Sequence, residues 1–460
     1  MRAKAKLFSL HSSPQLEATF RFIDQQEPCK YPLAAERCPE GKAYAPYNDI
    51  HEVFEEYLTE NKSDSMPLLR ASEESKGFTK LHSPPNVLHP RLLRLNLAMC
   101  EANAMDHTSD LLTNRGDLTD LALSFFPHFA NGFEKIHHIA YVKHGRLFLW
   151  HDRHKDETFN SLRARNNWYS GYKFEAVCTH QWPADRTAWL PLPEMNGREA
   201  IPALSLVKLP LPLGVQAIIL AEYDATKLSQ KGKQHKFPFV ELKCFQPHIP
   251  RINDIAWQKL PPDEALRSLV NKKSFMKFYK TCLQCKLAGC EEVVYGVRDS
   301  RVSLVGVRRF RVDEIERRLC ELDPAMYHRY YLKALRNVAE FVRLLCAECR
   351  EGDFYLVSKK SVRAPLSVQR IAESEVLFPI PFTPAFEAML LEGEKERRDR
   401  VGESFGHGSE RDFFEFVAPP PARNAKKTGR VPDTHLPAES ETPATLSQEL
   451  LDAMAKASIS

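Results

Sequence analysis

The sequence predicts a protein of mixed α and β structure, and three observations carry that prediction. Two apolar runs, residues 215–221 and 237–240, have strand character, and each leads directly into an acidic motif. Residues 137–150 and 293–312 alternate like β-hairpins. Residues 161–177, 271–287 and 330–349 carry apolar side chains at helical spacing.

In chain order, residues 60–86 are polar and contain the Pro84-Pro85 pair, so they read as a long surface excursion. Arg115-Gly116 follows in a polar segment just ahead of a predicted helix. Gly116 permits a sharp turn that lets the arginine reach inwards, with surface pairing to Asp117 or Asp120 as the simpler alternative. The hairpin at 137–150 turns at His144-Gly145, and its histidines, which lack a partner cluster, read as surface or hairpin residues. Within 161–177, Trp168, Gly171, Tyr172 and Glu175 share one side. A glycine inside a helix costs about 1 kcal/mol against alanine, so Gly171 suggests close approach of another element. Residues 215–221 (VQAIILA) run into Glu222-Tyr223-Asp224, and 237–240 (FPFV) into Glu241-Leu242-Lys243, with Pro238 marking an edge or a strand start.

The 271–287 helix sets Lys273, Lys277, Lys280 and Gln284 on one face, opposite an apolar side that includes Phe275, Tyr279 and Leu283. The 330–349 helix is amphipathic and packs on the sheet. From residue 393 the chain becomes charged and then rich in Pro, Thr, Ser and Glu. One catalytic domain over 1–392 and a disordered tail over 393–460 are expected. Thr445 and Gln448 resemble a capping box ahead of Leu446, Leu450 and Met454.

A hydrophobic content of 43% with 27% charged residues is ample for a core, and a formal charge of +4 permits nucleic-acid binding without arguing for it. No apolar stretch approaches the roughly 20 residues needed to span a bilayer, and the start lacks the apolar region of a signal peptide. A soluble intracellular protein with no membrane partner is expected. The eleven cysteines form no compact framework in a chain this long. Cys282/Cys285 and Cys346/Cys349 are CxxC pairs inside helical patterns, where a zinc knuckle would need turns.

Residues two apart in a strand share a face, so Glu222 pairs with Asp224 and Glu241 with Lys243. Three carboxylates and one ammonium then converge. Left unpaired in an apolar sheet those charges are prohibitively costly, and a divalent cation accounts for them. Hard oxygen ligands suit Mg²⁺ or Mn²⁺. Either motif alone reads best as solvated strand-end acids and a surface lysine; two on successive strands, one of them acidic-x-Lys, point to a metal-dependent phosphodiesterase. Glu175 is a candidate fourth acid. The lysine face beside such a site would hold a phosphate backbone, with Gln284 and the lysine nearest it as the preferred contacts.

Taken in order, these pieces resemble the DXO/RAI family of RNA 5′-end decapping nucleases. The resemblance runs through Arg115-Gly116, Gly171-Tyr172-Lys173-Phe174-Glu175, Glu222-Tyr223-Asp224, Glu241-Leu242-Lys243 and Gln284 ahead of Leu287-Ala288-Gly289, and covers residues 110–312. Tyr223 is larger than the family's usual aliphatic residue, and Cys244-Phe245 replaces its small hydroxyl residues. The resemblance implies a mixed α/β fold with curved central sheets flanked by helices and an active centre related to the acidic-x-Lys nucleases. It implies that Glu222, Asp224, Glu241 and the Leu242 carbonyl ligate Mg²⁺ or Mn²⁺, with Glu175 ligating directly or through water. Lys243 would orient the attacking water, and Arg115 and Gln284 would bind phosphate oxygens of the RNA 5′ end.

The implied activities are removal of incomplete or NAD caps, pyrophosphate release and 5′ to 3′ degradation, with residence in the nucleus or, alternatively, the cytoplasm. Two other functions compete: a binding partner that stabilises a nuclear 5′ to 3′ exoribonuclease, and a DNA nuclease with the same acidic-x-Lys chemistry. On the enzymatic reading, Glu241→Ala abolishes turnover and leaves the fold intact.

Overall fold

Apolar runs of β-branched and aromatic residues become strands and periodic ones become helices, as the sequence patterns require. The computed structural model describes residues 15–24, 33–37, 50–68, 90–102, 109–126, 136–152, 162–179, 203–226, 239–247, 249–361, 363–377, 382–401 and 413–416. All of these belong to one compact unit, which extends to Ala418.

The first third carries β1 (Gln15–Asp24), β2 (Leu33–Arg37), α1 (Ile50–Asn61), β3 (Met66–Pro67), α2 (Pro90–Ala102), β4 (Leu111–Asn114), α3 (Arg115–Ser124), β5 (His137–Lys143) and β6 (Arg146–His151). Next come α4 (Leu162–Thr179), β7 (Ala203–Pro210), β8 (Gln216–Tyr223), β9 (Ala225–Thr226), β10 (Phe239–Phe245), α5 (Pro262–Leu269), α6 (Phe275–Ala288), β11 (Glu292–Arg298) and β12 (Ser303–Arg311). The rest is α7 (Val312–Leu322), α8 (Pro324–Glu348), β13 (Phe354–Ser358), β14 (Leu366–Ile371), α9 (Pro384–Val401) and β15 (Phe413–Phe416).

Two mixed sheets result. One has ten strands in the order β15-β14-β13-β5-β6-β4-β8-β7-β1-β2, the other five in the order β3-β12-β11-β10-β9. Pairing is parallel for β4 with β6 and β8, and for β10 with β11. The chain leaves the larger sheet at Tyr223, the end of β8, and enters the smaller one at Ala225, where β9 pairs antiparallel with β10 through Val240↔Ala225 and Phe239↔Thr226. That switch is what carries one acidic motif to the other. Pro238 precedes β10, as a proline at a strand start should.

The largest core cluster joins α3, α6 and α8 to the sheets through Leu118, Phe278, Leu283, Val338 and Tyr295, all buried. A smaller one packs Phe174, Val177 and Cys178 of α4 on Val240, Leu242 and Val294. α4 therefore covers the Val240 and Leu242 face of β10, and Glu241 and Lys243 lie on its other face between the buried Phe239 and Phe245. No described helix is long and apolar enough to cross a membrane.

Several local expectations change. Met66–Pro67 is a strand paired with Leu304 and Ser303 inside what read as a surface excursion, whose remaining residues from 69 lie outside the described ones. Regular structure continues past residue 392, through α9 to Val401 and then β15, which pairs with β14. The segment around Thr445, Gln448 and Met454 lies outside the described residues. The close approach expected at Gly171 occurs at Gly296 instead. A Cβ there would stand 2.6 Å from the Phe174 ring, whereas nothing described lies within 4 Å of one at Gly171. The predicted helix from 271 starts only at Phe275, because the Asn271 side chain accepts from the Lys273 and Ser274 amides and closes a turn.

The hairpin histidines also divide. His144, at φ 52, makes the turn with Gly145 and pairs with Glu394 at 2.8 Å. His138 is fully buried on β5, its ring edge-on to His151, and neither of its nitrogens has a hydrogen-bond partner among the described residues. Burial lowers its pKa despite Asp117 and Asp120, with His137 acting in the same direction as burial. The unfolded chain therefore binds a proton below about pH 6.5 that the folded one resists. Stability from this group is complete above that pH and falls as pH drops through it. Thermal melts of His138→Phe and the parent at pH 7.5 and 5.5 should show a smaller acid-induced loss in the variant; equal losses would sink the assignment.

Candidate active site

At the switch between sheets, Asp224 lies beside β10, and its Oδ2 accepts from the Leu242 amide at 2.8 Å. Glu241, on the same strand, is wholly buried. Its carboxylate accepts from Arg115 at 2.7 Å and 3.4 Å, a forked contact, and meets Lys243 Nζ at 2.5 Å. Lys243 Nζ also lies 3.3 Å from Asp224 Oδ2 and 3.1 Å from the Leu242 carbonyl. The ammonium is thus ringed by one oxygen each from Glu241, Asp224 and Leu242.

Arg115 opens α3 with Asn114 as its N-cap, and the alternatives for its charge are taken. Asp117 accepts from Asn114 at 2.9 Å, and Asp120 pairs with Lys280 at 2.7 Å. Glu222, exposed at the end of β8, faces a cavity of about 180 Å³ lined also by Arg94, Asn114, Arg115, Gly116, Leu204, Leu220 and Gln284. Arg94 was not anticipated, since only the packing of α2 beside β7 and β8 brings it there, whereas Asn114, the last residue of β4, arrives with Arg115 next to it. Glu175 of α4 joins from the opposite side of the small sheet, close enough for its charge to feel Asp224, Lys243, Glu222 and Glu241.

The charges are unequal, and the pKa values follow. Burial, and then the neighbouring Asp224, Glu222 and Glu241, push Glu175 well above the usual carboxylate range against the pull of Lys243. Burial raises Asp224 to about 6, Glu241 adding to it and Lys243 and Arg115 opposing. Glu241 is the exception: burial would raise it, but Arg115 and Lys243 outweigh that and hold it at about 2. Four carboxylates gather around Arg115 and Lys243, with Arg94 lining the same cavity, and burial with mutual repulsion pushes two of the four upwards.

Among the described residues no three His, Cys, Asp or Glu side chains are arranged around a common metal position. Lys243 Nζ lies where the Glu241, Asp224 and Leu242 oxygens converge. That donor set, two carboxylates and a carbonyl with Glu222 and Glu175 at hand, is all hard oxygen and fits Mg²⁺ or Mn²⁺. The two CxxC pairs make no site of this kind among the described residues: Cys282 and Cys285 are buried inside α6, Cys346 and Cys349 sit at the end of α8, and none of the four is in a disulfide.

Two departures from the family pattern are absorbed away from the cavity. Tyr223 points opposite to Glu222, stacks on Phe239 at 3.7 Å and donates to the Ala288 carbonyl at 2.7 Å. Phe245 is buried against Phe278 and Tyr295. Of the lysines expected on one helical face, Lys273 precedes the helix and Lys280 is paired with Asp120, which leaves Lys277 and, two turns on, Gln284. The side chains of Trp168 and Tyr172 lie outside the described residues.

A family model for RAI1-like PD-(D/E)XK nucleases matches residues 54–381. The decapping nuclease RAI1 of Kluyveromyces lactis is 26% identical over 47% of this chain, and that of Lachancea thermotolerans 23% over the same share. The chain spans about half the length of these curated relatives, 54% and 53%. Among solved structures, S. pombe Rai1 in complex with 3′-FADP has a TM-score of 0.51 at 17% identity, covering 78% of this chain and 94% of that one. Scheffersomyces stipitis Rai1 in complex with (3′-NADP)+ and calcium ion has a TM-score of 0.51 at 19% identity, covering 83% and 97%. These two likenesses are of fold.

Proposed function

Because the chain belongs to the RAI1-like PD-(D/E)XK nuclease family, we propose that it is a divalent-cation-dependent hydrolase acting on RNA 5′ ends. The observation that carries this reading is the ring of Glu241, Asp224 and Leu242 oxygens around Lys243 Nζ, beside a cavity lined by Arg115 and Gln284. The calcium ion and dinucleotide ligands of the Rai1 relatives support a cation and a nucleotide end in such a site.

Glu241, Asp224 and the Leu242 carbonyl would hold Mg²⁺ or Mn²⁺, with Glu222 and Glu175 supplying further negative charge. The bound cation would supply Lewis-acid stabilisation of charge on the reacting phosphoryl group. Arg115 and Gln284 would bind the phosphate oxygens of the 5′ end, the guanidinium being fixed in place by its fork on Glu241. Lys243, displaced from the oxygens it now touches, would orient the attacking water and offset the developing charge.

The substrates proposed are incomplete caps, NAD caps and triphosphate ends, with 5′ to 3′ degradation as a further activity. Purified protein with Mg²⁺ or Mn²⁺ should release a cap, NAD or pyrophosphate from at least one RNA in a set bearing monophosphate, triphosphate, unmethylated cap, methylated cap or NAD, resolved on a gel. Chelator should abolish the release. Inertness towards every end would overturn the enzymatic reading and favour the second one, a protein that binds and stabilises a 5′ to 3′ exoribonuclease. Equal hydrolysis of a matching DNA would favour a general nuclease, because only contact with the 2′-OH separates the two.

A further inference from the structure

We propose that Tyr223 is a positioning residue for the substrate contact made by Gln284, acting through a hydrogen bond to the end of α6; this rests on the reading above. Its ring and its hydroxyl have separate contacts. The buried ring lies stacked on Phe239 of β10 at 3.7 Å, and the hydroxyl donates to the Ala288 carbonyl at 2.7 Å. Glu222, the residue before it on β8, faces the cavity from the other side of the strand. One side chain thus joins the strand that carries Glu222 to the helix that carries Gln284.

The bond matters because of where Ala288 sits. It is the last residue of α6, and the carbonyls of a helix's final turn have no partner within the helix. Those of Cys285 and Lys286 are met locally, where Gly289, at φ 72, donates to both and Cys290 donates to Cys285 at 2.9 Å. The Ala288 carbonyl is met from β8 instead, by the Tyr223 hydroxyl. Ala288 is wholly buried, so losing that donor leaves the carbonyl short of the partner the fold gives it, and the helix end must shift to find another.

Gln284 stands one turn before Ala288 on the same face, about 6 Å away along the helix axis, so a shift of the end is carried to it directly. The other contacts of that end point elsewhere. The Cys290 thiol donates to the Phe239 and Glu292 carbonyls, and β11 runs parallel to β10 in the register Glu241↔Val293. These contacts fix the helix end against β10, and so against Glu241 and Lys243. The Tyr223 bond fixes it against β8 and Glu222. Gln284 and Glu222 line one cavity, so their separation is the quantity that this bond controls.

The test measures binding of 5′-phosphorylated pentauridylate, with calcium in place of magnesium, and Mn²⁺ affinity by calorimetry. Tyr223→Phe keeps the stacked ring and deletes the hydroxyl. It should weaken RNA binding about fivefold and leave Mn²⁺ affinity unchanged, while Gln284→Ala should weaken RNA binding about tenfold, as loss of a hydrogen bond to a charged group does. The double variant should bind RNA as weakly as Gln284→Ala alone, because a residue that acts through Gln284 then has nothing to act on. Tyr355→Phe, which deletes a buried hydroxyl that accepts from the Arg350 amide at 2.9 Å in the larger sheet, should change neither affinity. Additive losses in the double variant, an equal loss of Mn²⁺ affinity, or parental RNA binding by Tyr223→Phe would overturn the positioning role while the nuclease reading stands. Failure of the parent protein to bind Mn²⁺ or the RNA, or to hydrolyse any RNA end, would bring down both.

Discussion

Glu241→Gln is expected to lower turnover by about 10²–10³-fold, the loss seen when one strong electrostatic contact at a reacting centre is removed. The carboxylate is wholly buried and is met by Arg115 at 2.7 Å and Lys243 at 2.5 Å. An amide of the same shape keeps the volume but loses the charge that fixes both cations, so cation binding and arginine placement fail together. The structure changes what Glu241→Ala should do. It should cost stability as well as turnover, because it strands the buried Arg115 guanidinium, a loss of about 3–5 kcal/mol when one member of a buried pair is removed. Steady-state turnover with a thermal melt distinguishes the two: a Gln variant with a near-parental melt and parental turnover would remove Glu241 from the site. An Ala variant as stable as the parent would show that the buried pairing matters less than its geometry implies.

Lys243→Met should separate two roles of one side chain. In the protein alone its ammonium occupies the space among Glu241, Asp224 and Leu242 oxygens, and burial, which alone would lower its pKa, is outweighed by Asp224 and Glu241, which raise it. Removing it deletes a competitor for those oxygens and leaves the carboxylates with less positive charge around them. Mn²⁺ affinity, read by calorimetry, should rise. Turnover should fall by at least about 10²-fold, since the positioned proton-bearing group is gone. Weaker Mn²⁺ binding would mean that Lys243 helps to assemble the ligands rather than standing in for the cation. Parental turnover would mean that it takes no part in the chemistry.

Both acidic motifs were legible because a strand repeats every two residues, so Glu241 and Lys243 share a face wherever β10 lies. The hairpin turn at His144-Gly145 and the helix bearing Gln284 were legible for similar local reasons. The first turn of that helix was not, since the Asn271 side chain competes for the backbone that periodicity assigned to it. Nor was the burial of His138, because strand alternation cannot say which face a second element will cover.

The α/β class, the two acidic strands and the identities of the residues that gather at the site depend on backbone periods and side-chain chemistry within a few residues, and so can be read along the chain. Which charge meets which depends instead on three-dimensional packing. Arg115 meets Glu241 across 126 positions rather than Asp117 next door, Lys280 spends its charge on Asp120, and Lys243 closes on Asp224 because the chain changes sheets at Asp224 and sets it beside β10. Ion pairs form where packing sets charges within a few ångströms in a poorly solvated interior, and that distance is a property of the fold, not of spacing along the chain.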